Sequence, residues 1–336
     1  MSFAVAAASM SYVLRKLFLL RITRHTTADP ARFWAISAAV AVLITGGFRG
    51  MPGSASLRVT AAFQYFAVVM TLTPYVHMLG ARRPGVRAWP WFVVCPLVLV
   101  LLWPAVSQLT TGRSDFPVEI PSPTVFGFLL VLLMGTGNYF GTSLTSASLA
   151  AAAGTTLVLL PTTEWMSFEN DWAFSAGCVL IAFAGTLIPQ HFFVRHPEKS
   201  ADSTAEDGTI IAGTRRTGES EAPTEPTGDA QLLWADFRDV YGMVWAKRVA
   251  DRVNQFAQRE NWNVRLSVFG FVAASQCRET AGADSAELPC VPSSDIPERS
   301  VRVLCWVLRR FVDPPFIAQY LPVDRFAVDP ADRSAI

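Results

Sequence analysis

Where this chain keeps its charges constrains its fold more than any other property. Between Phe33 and Gln190 the strong acids and bases are Arg49, Arg58, Arg82, Arg83, Arg87, Arg113, Asp115, Glu119, Glu164, Glu169 and Asp171, and they fall between long apolar runs. A water-soluble domain carries about 25% charged residues; this chain carries 16%, and 51% of it is hydrophobic. The net charge of +1 averages an apolar half with a polar half, so it says nothing about partners. The predicted fold class is an all-α polytopic transmembrane bundle of about six helices, N-in and C-in, joined to a small helix–strand–helix cytoplasmic C-terminal domain.

A bilayer core takes about 20 apolar residues per helix. Segments 33–48, 59–80, 90–107, 123–140, 142–161 and 173–190 meet or approach that need. The uncharged run from Ile120 to Thr163 is long enough for two spans, and it breaks most readily at Gly135–Gly141, where three glycines meet polar residues. Arg15, Lys16, Arg21, Arg24, Arg32, Arg82, Arg83, Arg87, Arg195 and Lys199 then share one side, which the positive-inside rule makes cytoplasmic. Trp34, Trp89, Trp91, Trp103, Trp165 and Trp172 fall near span ends, and Pro96 and Pro104 should kink the third span. The apolar stretch Met1–Leu14 is followed rather than preceded by basic residues. It reads as an interfacial helix and not as a cleavable signal, with Met10 an alternative start. The expected organisation is 1–32 as an interfacial or cytoplasmic segment, 33–190 as six spans, 191–228 as a disordered linker, 229–321 as a cytoplasmic domain and 322–336 as a tail. This places a multi-pass protein in the cell (inner) membrane with both termini cytoplasmic.

Chemistry-bearing patterns are sparse. The five cysteines lack zinc spacing and read as free thiols, and no metal or cofactor is expected. His77 is the one ionisable candidate within a span and is expected to face the interface. Gly137, Gly141, Ser143 and Ser146 belong to a small polar patch between the fourth and fifth spans. It reads either as a close helix contact through Gly137-x-x-x-Gly141 or as the lining of a substrate cavity. Packing is favoured because no charge accompanies the patch. An intramembrane serine protease is excluded: Ser143 precedes Leu144, and the sixth span has no histidine to act as base. No catalytic residue is assigned; the outer-loop carboxylates Glu164, Glu169 and Asp171 are a remote alternative.

Beyond the linker, apolar residues recur at helical spacing from Asp229 to about Asn261. Trp234, Phe237, Tyr241 and Trp245 form a candidate partner surface on that helix. Val264–Val272 reads as one strand in need of a partner, and Glu298–Val312 as a helix stopped by Asp313-Pro314-Pro315. Arg299, Arg302, Arg309 and Arg310 make a basic face, either solvated or set against anionic lipid headgroups. Nucleic acid is not expected, because acids are interspersed and no binding motif appears.

Asp236-Phe237-Arg238-Asp239, Gly242, Val244-Trp245 and Arg248-Val249, then Trp262, Val264-Arg265-Leu266 and the late Leu308-Arg309-Arg310-Phe311-Val312, resemble the C-terminal segment of multi-span membrane proteins of planctomycete-type bacteria. The resemblance covers the last third of the chain. It implies a bacterial cell-membrane protein and no activity. The function expected is a non-enzymatic membrane scaffold, assembly or regulatory protein. Its partners would be the lipid bilayer and, through the cytoplasmic domain, another protein or a second copy. The alternative is a small transporter or channel for a neutral or apolar solute.

Overall fold

The structure, a computed structural model, describes residues 2–50, 57–80, 90–110, 119–166, 171–193, 230–275, 290–292 and 295–321. Arg82, Arg83, Arg87, Arg113, Asp115, Glu169, Arg195 and Lys199 lie outside these, as do the linker between residues 194 and 229 and the 322–336 tail.

Helices α1 (Ser2–Leu19), α2 (Asp29–Gly50), α3 (Leu57–Leu79), α4 (Cys95–Thr110, entered through a π-helical turn at Pro90–Val94), α5 (Ser122–Gly137), α6 (Thr145–Leu159) and α7 (Asp171–Leu187) pack together as one bundle. Four stretches are long and apolar enough to cross a membrane: Asp29–Gly50, Leu57–Leu79, Phe92–Thr110 and Thr145–Thr162. Ser122–Gly137 and Asp171–Leu187 are shorter apolar helices. α3 is the central helix and α4 the peripheral one, with 67% and 11% of their apolar windows enclosed. Around Tyr65, Val68 and Leu72 of α3 pack Phe128 of α5 and Phe174 of α7, all essentially without solvent contact. Away from this core, Leu99, Val100, Trp103, Phe126, Leu130, Leu133 and Phe183 are exposed. Water would not tolerate so broad an apolar belt.

The N-terminal segment departs from expectation. α1 does not lie apart as an interfacial helix but packs between α2 and α7. Ala6 and Met10 are buried, and the Phe3 ring lies against Gly46 and Gly50 at the far end of α2. Arg15 and Lys16 fall in the last turns of α1, where charge reaches the end of the bundle. Among the described residues α1 thus packs beside the six apolar helices, and Phe3 lies at the end of the bundle remote from the C-terminal domain.

Close packing also occurs elsewhere than expected. A Cβ placed on Gly137 would meet nothing within 4 Å, and Gly141 lies in the α5–α6 turn with φ +80°. The intimate crossing is α6 against α7. A Cβ on Gly154 would sit 2.7 Å from the Gly177 carbonyl oxygen, and one on Gly177 would sit 2.6 Å from that of Gly154. At the end remote from the C-terminal domain, Arg49 Nη2 pairs with Asp171 Oδ1 at 2.9 Å and its Nη1 donates to the Gln64 side chain. Gln64 in turn donates to the Val158 carbonyl at 2.7 Å. This ties α2, α3, α6 and α7 together.

The C-terminal domain comprises α8 (Ala230–Tyr241), α9 (Met243–Arg259), β1 (Val264–Leu266), β2 (Phe271–Ala273), α10 (Glu298–Leu308) and α11 (Pro314–Ile317). Two expectations are corrected here. The single helix over Asp229–Asn261 is two helices, broken at Gly242, whose φ of +80° is left-handed. The single strand over Val264–Val272 is an antiparallel hairpin that pairs Val264 with Ala273 and Leu266 with Phe271, so it supplies its own partner. Ser267 and Gly270 close the turn, the Ser267 Oγ accepting from the Phe269 and Gly270 amides.

Candidate functional site

The C-terminal domain is bolted onto one end of the bundle, and a cavity lies directly beneath the junction. The aromatic stripe of α8 and α9 faces inward. Phe237 stacks between Trp234 and Tyr241 at centroid distances of 5.7 and 4.7 Å, and Phe311 meets Phe237, Tyr241 and Trp245 edge-on. Trp234, Phe237 and Tyr241 are fully buried and Trp245 is 5% exposed. Their cluster includes Ala28, Ala31 and Met78 of the bundle. The candidate partner surface is therefore covered by this chain itself.

Three polar fasteners hold the junction. Tyr241 Oη donates to the Phe311 carbonyl at 2.6 Å and accepts from the Thr27 amide at 3.1 Å. Burial pushes this phenol above its ordinary pKa, so it stays neutral and keeps both roles. Around it, Thr26 bridges to Val312, the Thr27 amide donates to Phe311, and the Asp313 amide donates to His25. The Trp245 indole donates to the Met78 carbonyl at 3.0 Å, at the last turn of α3.

Asn138, which follows α5, is the third fastener. Its Nδ2 donates to the Tyr241 carbonyl at 3.0 Å, and its Oδ1 accepts from the Val244 amide at 3.0 Å. Its backbone carbonyl accepts from the Met243 amide at 2.7 Å. The first N–H groups of a helix have no intrahelical partner, and a side chain just before the helix commonly supplies one. Here Gly242 stands at that position and the cap comes from a distant residue of the bundle. The missing side chain is what admits it, since a Cβ on Gly242 would overlap the Asn138 amide.

A peripheral contact adds to these. Tyr320 Oη donates to the buried Asp236 carboxylate at 2.5 Å, with His191 Nε2 3.6 Å from its other oxygen. His77 does not face the interface as expected. It is 6% exposed and sits buried in the last turn of α3.

Below this junction α1, α2, α3, α6 and α7 line a partly open cavity of about 290 Å³. Its walls are largely small or apolar, among them Ala38, Val42, Ala147, Ala151, Ile181 and Gly185. Tyr75, Tyr139, Thr71, Ser148 and Thr155 add hydroxyl-bearing side chains, and Lys16 the one charged residue among the described residues that line it. Gly135 keeps Tyr75 in place, for a Cβ there would lie 2.7 Å from the Tyr75 side chain. Tyr139 both lines the cavity and contacts the Val240 carbonyl above it, at 3.4 Å.

Of the residues singled out from sequence, Gly137, Gly141, Ser143 and Ser146 flank or follow the Asn138 turn. Gly141, Ser143 and Ser146 are exposed, and none of the four lines the cavity. Ser148, five residues beyond Ser143, does. On α10 and just beyond, Arg299 pairs with Glu260 and Arg302 with Glu298, each at 3.2 Å, and Arg310 lies over the Trp306 ring. Arg309 is half-buried, so these four are not one free basic face. Among the described residues no group of three or more His, Cys, Asp or Glu is arranged to hold a metal. Sequence reading missed Asn138, Lys16 and Tyr139; Asn138, a lone amide among three glycines, was the available signal. Comparison with family models, with curated proteins and with solved structures finds no match for this chain.

Proposed function

We propose that this is a multi-pass membrane protein that binds a small, largely apolar molecule inside its helical bundle, with the C-terminal domain as a docked cap. The cavity carries this reading. It lies among five helices, is walled by apolar and small side chains, and carries a few hydroxyls, the usual makeup of a small-molecule site. The end bearing Arg15, Lys16, Arg21, Arg24 and Arg32 faces the cytoplasm, and the cap with it. Phe3 then lies toward the other face. The proposal assigns carriage or passage of a solute and no chemical step. The scaffold reading retains one observation, the partly exposed Leu232, Val244 and Phe269 on the outside of the cap.

The test is native mass spectrometry of the full chain beside Ala151→Phe, which fills the cavity. A small apolar molecule retained by the wild type and lost from the filled variant supports binding. Equal retention by both, or none by either across a panel of apolar probes, refutes it.

A further inference from the structure

We propose that the cavity's ligand is a single-chain amphiphile with an anionic head, and that the Lys16 ammonium receives that head. The inference rests on the apolar-binding reading above. It starts from a cation that no ion pair among the described residues neutralises. Lys16 lines the cavity and is half-buried, with its ammonium 4.5 Å from the centroid of the Phe193 ring and 5.7 Å from that of Tyr12. None of the ion pairs among the described residues involves it.

A lysine that merely snorkels extends its ammonium into water and headgroups. This one is folded back onto two aromatic faces, which attract a cation but accept no conventional hydrogen bond from it and leave its charge uncancelled. A carboxylate or phosphate would take the stronger, charge-assisted bond. The geometry also orders the ligand. Lys16 lies one turn from the end of α1, on the side of the C-terminal domain, while Met10 and Val42 line the wall further into the bundle. A head at Lys16 therefore sends an apolar chain toward the bundle centre. The volume, about 290 Å³, is at the lower end of small-molecule pockets (~300–1,000 Å³) and suits one chain rather than two.

The experiment uses the full chain in a neutral glycoside detergent and three photoactivatable probes of equal chain length: a diazirine-bearing dodecanoic acid, dodecyl phosphate and dodecanol. Crosslinked peptides are mapped by mass spectrometry. Either anion should label cavity-lining peptides of α2, α6 and α7 about tenfold more than the alcohol, the ratio expected of a charge-assisted hydrogen bond. Lys16→Met should bring the three probes level while the alcohol still labels, which shows that the variant is folded. The wild-type comparison stands alone should that variant fail to fold. Preference for one anion over the other supports the proposal and specifies the head. Equal wild-type labelling by acid, phosphate and alcohol overturns the head-group inference and leaves apolar binding standing. Labelling that no probe directs to the cavity, or that Ala147→Trp does not reduce, overturns both.

Discussion

Replacing Asn138 by alanine is the sharpest test of how the C-terminal domain is attached. The backbone bond from the Met243 amide to the residue 138 carbonyl survives the change. The two side-chain bonds do not, and they leave the Tyr241 carbonyl and the Val244 amide without those partners at a position where Asn138 is only 3% exposed. An orphaned buried polar group costs about 1–3 kcal/mol, and loss of a helix cap about 1 kcal/mol. Water reaching the vacated space recovers part of this, so docking should weaken by about 2–4 kcal/mol, a shift of roughly thirtyfold to several-hundredfold. Hydrogen exchange of the full chain in detergent reads the effect directly. Amides of the first turn of α9 should exchange faster by that factor, and those of Thr27 and Asp313 should follow because they belong to the same junction. Asn138→Asp separates the two bonds: it keeps the acceptor for Val244 and sets a carboxylate against the Tyr241 carbonyl. It should therefore protect Val244 better than alanine does while still loosening the domain. Unchanged exchange at Val244 in Asn138→Ala, together with an unchanged melting temperature, would refute capping from the bundle.

Further outcomes follow from the same geometry. Gly177→Ala should lower the detergent melting temperature, since its Cβ would stand 2.6 Å from the Gly154 carbonyl and such overpacking costs about 1–3 kcal/mol; Gly137→Ala, which meets nothing within 4 Å, should leave it unchanged. Trp245→Phe removes the donor to the Met78 carbonyl and should destabilise the junction by about 1–3 kcal/mol, read by proteolysis between the two parts. Cys290 is exposed and should react with maleimide at pH 7, whereas the buried Cys305 thiol, pushed up to about 12 by burial, should react only on unfolding. Because the neutral Cys305 thiol is the folded form, its contribution to stability is full below about pH 9, the ordinary thiol value, and is lost as pH rises toward 12. A melting profile flat from pH 8 to 11 in the wild type and identical in Cys305→Ala would contradict this.

The span boundaries were legible because one physical rule governs them: a charge ends an apolar helix in lipid. Expected segments 59–80 and 173–190 became helices Leu57–Leu79 and Asp171–Leu187. α1 was misread by the same rule. Arg15 and Lys16 signalled an exit from the membrane, but they lie in the last turns of a helix that packs lengthwise against α2 and α7 rather than apart from the bundle. The stripe Trp234, Phe237, Tyr241 and Trp245 was correctly apolar, yet no local pattern told whether another molecule or this bundle would cover it. Non-local partners explain the remaining errors. Gly242 breaks a helix because Asn138, about a hundred residues earlier, fills the space. Gly154 and Gly177 are distant in sequence and become a contact only when α6 and α7 meet. The hairpin had a local signal, Gly270 within a β-branched run, that a one-strand reading passed over.

The location of the domain's last polar partners has a consequence for how the protein is made. The opening amides of α9, the Tyr241 hydroxyl and the Trp245 indole are satisfied by Asn138, Thr27 and Met78, all of which leave the ribosome long before residue 230. Until the α1–α2 loop, the end of α3 and the α5–α6 turn stand together at one end of the bundle, the C-terminal segment cannot complete these hydrogen bonds. A bundle inserted with a helix missing or inverted scatters those three acceptors and donors, and leaves an aromatic-rich tail unsettled. The junction is therefore complete only where Thr27, Met78 and Asn138 meet at one end of the bundle, three positions far apart in sequence from the groups they satisfy.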